Sequence, residues 1–198
     1  MTDERSQRII DTAVELAEKD GFTNVRLRDV AAHAKVALGT VYKRFRSKEE
    51  ILVAALAQEA KRLQDAIEKR PLTGTTAEER VLHFFSTATR GLLKRPKLAR
   101  ALVRSIATGG PLIHDKVATF HAMTTMLLVA ALRDQPVDGP LDWGGDADKE
   151  WREIAELLQH IWFAALVGWA SGVFEDRMIM EKLKLATRRM VRPLESAE

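Results

Sequence analysis

The chain has 198 residues, of which 46% are hydrophobic and 30% charged, so it can bury one sizeable core or two small ones. It contains no cysteine, which excludes disulfide frameworks, thiolate metal sites and cysteine nucleophiles, and its first residues lack the pattern of a secretory signal peptide. The formal net charge is only +3, yet residues 24–48 hold seven basic side chains and one acid, which makes this segment +6 and the remainder −3. We therefore expect a cytoplasmic protein with one local site for a polyanion.

The first 70 residues have the pattern of four helices. Apolar residues recur every three or four positions over residues 6–20, and Gly21 ends that pattern as a helix stop. Two short helices follow, one ending near Ala34 and one over residues 37–45. Ser47 and Glu50 have the spacing of a capping box, which predicts the start of a long amphipathic helix.

Beyond a polar connector at residues 71–76, the predicted helices become longer and more apolar. Proline and glycine breaks separate helical patterns at residues 77–94, 97–108, 112–134, 149–175 and 177–191. The sequence therefore predicts an all-α fold of about nine helices. We expect a three-helix helix-turn-helix domain with its connecting helix in residues 1–70, the motif itself at 26–45, and a larger helical domain for effector binding and dimerisation in residues 71–198.

The two short helices and the tight turn between them have the geometry that places the second helix in the DNA major groove. In that helix Val41 and Phe45 lie four residues apart and should face the core. The outer face then carries small, hydroxyl and cationic residues, namely Leu38, Gly39, Thr40, Lys43 and Arg44.

Each of these residue types suits a contact with DNA. A glycine permits close approach to the bases, a threonine offers a hydroxyl and a methyl to base edges, and Tyr42 and Lys43 can hold phosphates. Lys48 adds a cation at the N-terminus of the next helix, where the helix dipole favours anions. Two alternatives remain open, since Tyr42 could be half-buried packing and Arg28 could pair with a nearby acid.

Four segments resemble the N-terminal DNA-binding domain of TetR-family transcriptional regulators in order and spacing: Gly21-Phe22, residues 27–31, 39–42 and 45–52. The resemblance covers about residues 5–62. It implies that Arg28, Leu38, Gly39 and Thr40 face bases and that Tyr42, Lys43 and Lys48 contact the DNA backbone; we add Arg26 and Arg44 to the predicted DNA-binding set. The later part resembles the family in layout only, as a helical domain that dimerises and binds a small molecule.

The sequence departs from the family pattern at three positions. Arg26 and Ala37 stand where a helix-capping threonine or serine is common, and Lys35 stands where the turn usually has glycine. Each replacement should cost about 1 kcal/mol, which the fold can tolerate.

The uncharged run at residues 157–174 reaches the length limit of a membrane span, but its polar residues favour a buried helix, and we expect no membrane contact. Small residues line one side of this helix and bulky ones the other. We predict a four-helix interface with a twofold mate, and the alternative is a core within one chain. The predicted interface consists of Leu157, Ile161, Ala164, Gly168, Gly172, Ile179, Leu183, Ala186 and Met190.

The bulky side and neighbouring helices supply candidates for an apolar ligand cavity, although each could be ordinary core. The predicted ligand-binding residues are Phe84, Arg104, His121, Met123, Thr124, Leu127, Trp162 and Trp169.

Motifs of hydrolases, dinucleotide-binding enzymes, P-loop proteins and zinc proteases are missing from the sequence, so we expect no catalysis, no metal and no cofactor. We predict a homodimeric transcriptional repressor that binds a near-palindromic double-stranded DNA operator and is released by a small hydrophobic effector. The alternative is an all-α small-molecule-binding protein or enzyme whose basic segment is only a solvated surface.

Overall fold

A computed structural model of the chain describes residues 4–108, 111, 113–135 and 146–192. Within these ranges the protein has nine α-helices and no β-strand, which confirms the predicted all-α fold. Their bounds are α1 (Glu4–Asp20), α2 (Leu27–His33), α3 (Leu38–Arg44), α4 (Lys48–Lys69), α5 (Ala77–Leu93), α6 (Pro96–Thr108), α7 (His114–Arg133), α8 (Asp146–Ala170) and α9 (Arg177–Met190). No helix in this described part is both long and apolar enough to cross a membrane.

The largest difference from the predicted helices concerns the end of α8. The sequence pattern predicts a helix over residues 149–175, whereas α8 begins at Asp146 and ends at Ala170. Gly172 adopts a φ of 81°, and the amides of Val173 and Phe174 both donate to the carbonyl oxygen of Gly168, at 2.9 and 3.1 Å. Such a left-handed glycine is a common helix terminator, and it stops α8 although the apolar pattern continues.

At the start of α4, Ser47 caps the helix as the predicted capping box requires, but the Glu50 carboxylate bonds one residue earlier than predicted. The backbone N–H of Glu50 donates to the Ser47 hydroxyl oxygen at 3.1 Å, and the Glu50 carboxylate accepts from the backbone N–H of Arg46 at 2.8 Å. The first bond satisfies an amide that a helix start otherwise leaves without a partner, and the second fixes the residue that precedes the cap.

The chain divides into two compact units, one formed by Met1–Glu59 with Leu92–Phe120 and the other by Ala60–Gly91 with His121–Glu198. In the first unit, the backbone N–H of Leu98 in α6 donates to the Glu18 carboxylate of α1 at 2.9 Å. Lys116 in α7 pairs with Glu50 in α4 at 3.1 Å. Each compact unit therefore combines two separate segments of the chain. The division into a DNA-binding part in residues 1–70 and an effector-binding and dimerisation part in residues 71–198 stays a prediction.

Each unit has its own apolar core. In the first, Ile9, Ile51 and Leu98 are fully buried. In the second, the rings of Phe85 and Trp162 pack 5.7 Å apart, and the indole N–H of Trp162 donates to the Thr89 hydroxyl at 3.0 Å. A buried tryptophan N–H needs a hydrogen-bond acceptor, and the Thr89 hydroxyl provides it inside the aromatic core.

Candidate functional site

The three residues that depart from the family pattern lie just before α2, in the turn between α2 and α3, and just before α3, and each has the backbone or capping feature expected of it. Lys35 adopts a φ of 54°, in the region that glycine occupies without strain, and the backbone N–H of Val36 donates to the Ala31 carbonyl at 3.0 Å. Ala37 precedes α3 in an extended conformation, and its side chain has no group that could cap the helix. Arg26 precedes α2 in the same way, and within the described chain its side chain makes no capping bond.

Helix α3 turns one face to the core and one to solvent. Val41 and Phe45 are buried, as predicted. Leu38 and Tyr42 are 40% and 55% exposed. Apart from its chain neighbours and the backbone of its own helix, no described residue has an atom within 4 Å of where a Cβ on Gly39 would stand. The exposure of Tyr42 argues against the alternative that it is packing, and the bare face at Gly39 leaves room for a close neighbour.

The cations around α3 differ in how they are held. Lys43 is exposed, whereas Arg44 is half-buried and its Nε donates to the Ser6 hydroxyl of α1 at 3.0 Å. The Lys48 ammonium lies 3.4 Å from the backbone carbonyl oxygen of Thr23, which holds it near the start of α4. Sequence reasoning placed the cations together but missed Ser6 and Thr23, because no local signal connects positions 25 to 38 residues apart.

Arg28 lies 3.6 Å from the carboxylate of Asp29, the ion pair that the alternative reading anticipates. The two side chains are 66% and 44% exposed, and ion pairs this open to solvent contribute little stability. The pair therefore leaves the guanidinium able to reach an anionic partner. Of the other predicted contacts on the motif, Arg26 is exposed and Thr40 is half-buried.

A groove of about 660 Å³ lies between α7 and α8 in the second unit. Helix α7 contributes His121, Ala122, Thr125 and Met126, and α8 contributes Arg152, Glu156, Gln159 and His160. The hydroxyl of Thr125 donates to Oε1 of Gln159 at 3.0 Å. Six of these eight lining residues are polar or charged, and only Ala122 and Met126 are apolar.

Two histidines that line this groove, His121 and His160, have ring centroids 6.0 Å apart. Burial lowers the pKa of His121 below its ordinary value, the nearby His160 lowers it further, and a hydrogen bond with Gln159 acts in the opposite direction. The neutral imidazole of His121 is therefore favoured, in which one ring nitrogen donates and the other accepts.

Of the predicted ligand-binding residues, His121 lines the groove and the others lie elsewhere. Arg104 is exposed and belongs to the first unit. Met123 is half-buried, and the rest are buried in the second unit: Phe84, Thr124, Leu127, Trp162 and Trp169. A cavity among these aromatic residues stays a prediction, and the polar groove was missed because its residues do not form one apolar stripe.

The residues predicted for a dimer interface differ in burial, and some of them are covered within the single chain. Ile179 and Leu183 are fully buried within one chain, where α8 and α9 pack together, as the alternative of an intramolecular core requires. A Cβ on Gly168 would overlap the ring of Phe174. The small residue at position 168 therefore makes room for a side chain of the same chain. Gly172 lies beyond the end of α8 and is exposed. The remaining members are exposed or half-buried: Leu157, Ile161, Ala164, Ala186 and Met190.

Comparisons with known proteins agree with this architecture. Residues 9–55 match the family model described as bacterial regulatory proteins, tetR family, and residues 74–190 match the one described as tetracyclin repressor-like, C-terminal domain. The HTH-type transcriptional repressor KstR of Rhodococcus jostii is 29% identical over 189 residues, which cover 95% of this chain and 83% of that protein. KstR of Mycolicibacterium smegmatis is 26% identical over 188 residues, covering 95% and 87%.

Solved structures share the fold over nearly the whole chain. A TetR transcriptional regulator from Rhodococcus sp. RHA1 superposes with a TM-score of 0.79 at 24% identity, covering 94% of this chain and 95% of that one. Thermus thermophilus FadR, a TetR-family repressor solved in complex with lauroyl-CoA, superposes with a TM-score of 0.70 at 19% identity, covering 93% and 92%. The family models and the repressor relatives overturn the alternative of an enzyme with a solvated basic surface. The chain belongs to the TetR family of bacterial transcriptional regulators.

Proposed function

We propose that the protein is a homodimeric repressor that binds a near-palindromic operator through α3 and leaves it when a small effector binds the second unit. The observation that carries this proposal is the outer face of α3, where Leu38 and Tyr42 are exposed beside the bare backbone of Gly39. An exposed apolar and aromatic face on a short helix, surrounded by cations, suits insertion into the major groove.

The proposed contacts divide into base readers and phosphate anchors. Leu38, Gly39 and Thr40 occupy the first turn of α3, the part of a recognition helix that contacts base edges. Tyr42, Lys43 and Lys48 lie further along and would hold the backbone, with support from Arg26 and Arg28. Base contacts determine sequence preference, whereas phosphate contacts determine affinity and its dependence on salt.

A twofold dimer is supported by apolar side chains that the single chain leaves uncovered. Leu157 on α8 is 51% exposed and Leu185 on α9 is 62% exposed. Two recognition helices related by a twofold axis would read half-sites about 34 Å apart, one turn of DNA. Sedimentation should show a dimer for the parent, a weakened dimer for Leu157→Glu, and no change for Lys184→Glu on an exposed position of α9. A parent that is monomeric at micromolar concentration would contradict the model.

An effector site in the second unit is supported by the groove between α7 and α8, whose volume lies in the range of small-molecule sites. FadR, which shares the fold, was solved with lauroyl-CoA, and we extend to this chain an effector with an apolar acyl or comparable hydrophobic body. Release of DNA requires that the effector bind the nonbinding arrangement more tightly than the binding one. A hundredfold loss of operator affinity corresponds to about 2.7 kcal/mol of coupling.

The decisive experiment is selection of bound fragments from genomic DNA, followed by gel shifts at increasing salt. We expect one preferred fragment with a symmetric site. Thr40→Ala should then weaken operator binding by roughly 1–3 kcal/mol and blur sequence preference. The matched control is Thr119→Ala on α7, where the exposed hydroxyl only donates to the Asp115 carbonyl of its own helix. If no fragment is preferred, or if both threonine variants bind alike, the proposed reading surface is wrong.

A further inference from the structure

We propose that Lys116, in the first turn of α7, positions the DNA-reading segment by holding the carboxylate of Glu50. This role rests on the proposed function only in taking α3 and Lys48 as the surface that contacts DNA. Lys116 comes from residues 71–198, the part of the sequence predicted for effector binding and dimerisation. A residue of that part therefore contributes to DNA binding without touching DNA.

Both oxygens of the Glu50 carboxylate have partners, and the partners come from different parts of the chain. Oε2 accepts from the backbone N–H of Arg46 at 2.8 Å, and Oε1 accepts from the ammonium of Lys116 at 3.1 Å. The Glu50 side chain is only 15% exposed, and an ion pair this sheltered is screened less by water and salt than an open one. Glu50 therefore joins the segment that precedes α4 to α7 through two charge-assisted bonds.

The place of Lys116 on its own helix gives no reason for a cation. Helix α7 begins at His114, so Lys116 stands in the first turn, where the helix dipole disfavours a positive charge. Glu50 stands in the first turn of α4, where the dipole favours a negative one. The contact with Glu50 thus supplies the stabilisation that α7 itself withholds from Lys116.

Arg46 lies in the short segment between the proposed recognition helix and the proposed phosphate anchor Lys48. Helix α3 ends at Arg44 and α4 begins at Lys48, and the buried Phe45 between them has an extended backbone. Because Glu50 holds the backbone N–H of Arg46, a shift of this carboxylate moves the connection between base readers and anchor. Both groups must fit the duplex at once, so a small misplacement weakens operator binding. Lys116 acts through Glu50 and is a positioning residue.

A different explanation is that Lys116 affects DNA binding only through its charge. In that case removing Lys116 weakens binding to a polyanion, whereas neutralising Glu50 strengthens it. Removing both charges leaves the net charge unchanged and the affinity close to that of the parent. Positioning predicts a different pattern, in which both single variants weaken binding and the double variant is no weaker than either, because all three break the same link.

The test uses the full chain, the operator fragment selected from genomic DNA, and fluorescence anisotropy between 50 and 200 mM salt. Lys116→Met, Glu50→Gln and the double variant should each weaken operator binding about threefold to tenfold. The slope of log affinity against log salt should equal that of the parent, since no phosphate contact is lost. Glutamine keeps an oxygen for the Arg46 N–H, so Glu50→Gln breaks the link to α7 and spares the bond to Arg46. Lys116→Arg keeps the charge and the reach and should bind almost as the parent does.

The matched control is the exposed ion pair between Lys61 and Asp65, one turn apart on α4 and 3.1 Å from each other. Lys61→Met, Asp65→Asn and their double variant change the charge in the same way without a contact to α7, and they should bind the operator as the parent does. Urea denaturation establishes that each variant is folded under the assay conditions. Hydrogen exchange of the Arg46 amide reports on the segment directly, and we expect faster exchange in Lys116→Met.

Positioning by Lys116 is overturned if Glu50→Gln binds more tightly than the parent or if the double variant recovers the parent affinity. It is also overturned if Lys116→Met leaves the affinity or the Arg46 exchange at the parent value. A parent that prefers no DNA fragment would contradict the proposed function instead, and the Arg46 exchange would then still test the link from Lys116 to Glu50.

Discussion

Replacing Lys43 or Arg44 with alanine should separate two roles that lie side by side at the end of α3. Both are cations of the predicted recognition helix, and the sequence gives no reason to treat them differently. The structure does, because Lys43 is exposed while the guanidinium of Arg44 donates to the Ser6 hydroxyl at 3.0 Å. We therefore expect Lys43 to bind a DNA phosphate and Arg44 to stabilise the packing of α3 on α1.

The expected magnitudes follow from counterion release and from the cost of a hydrogen bond. Each lost phosphate contact lowers the slope of log affinity against log salt by about 0.9, so a dimer that loses two Lys43 contacts changes by about 1.8. Between 50 and 200 mM salt the parent should then lose about 12-fold more affinity than Lys43→Ala. Arg44→Ala should retain the parent slope and lower the free energy of unfolding by about 1 kcal/mol, the contribution of one partly buried hydrogen bond.

Fluorescence anisotropy on a labelled operator fragment over this salt range gives the slopes, and urea denaturation gives the free energies. Arg90→Ala, at an exposed position of α5, is the control for loss of a cation elsewhere. Equal slopes for the parent and Lys43→Ala, or a reduced slope for Arg44→Ala, would refute the reasoning.

Three further predictions concern stability and are checked by urea denaturation. Arg80→Met should lower the free energy of unfolding by about 2–4 kcal/mol, because the buried guanidinium donates to two carbonyl oxygens at the end of α7, at 2.8 and 3.1 Å; a change below about 0.5 kcal/mol would contradict this. Gly168→Ala should lower the free energy of unfolding by about 1–3 kcal/mol, because the new methyl overlaps the Phe174 ring. Gly91→Ala, in an open position within α5, should raise it by about 0.5–1 kcal/mol. Similar effects at both sites would show that the Phe174 ring can move aside without cost. The pKa of His121 in the folded chain lies below 6.5, so the unfolded chain takes up the proton first as pH falls. The free energy of unfolding should therefore decline below about pH 6.5, and His121→Gln should flatten that decline. Identical pH profiles for the parent and the variant would show that His121 is not its source.

The helices and their motif could be predicted from the sequence because the information is local. Helical periodicity alone predicts that Val41 and Phe45 face inward and that Leu38 and Gly39 face outward, and the structure agrees. The capping box at Ser47 and the strained turn at Lys35 depend on a few neighbouring residues, so they too can be recognised without the fold.

The parts that sequence reasoning did not reach are contacts between distant positions. The bonds from Ser6 to Arg44 and from Glu18 to Leu98 connect residues 38 and 80 positions apart, and no local pattern encodes them. Likewise, an apolar stripe shows that a face must be covered but not what covers it, because hydrophobic burial is not directional. Only the tertiary structure places Ile179 and Leu183 inside one chain and leaves Leu157 and Leu185 exposed. Only the same structure shows that the side-chain nitrogen of Gln159 is buried with no hydrogen-bond partner among the described residues.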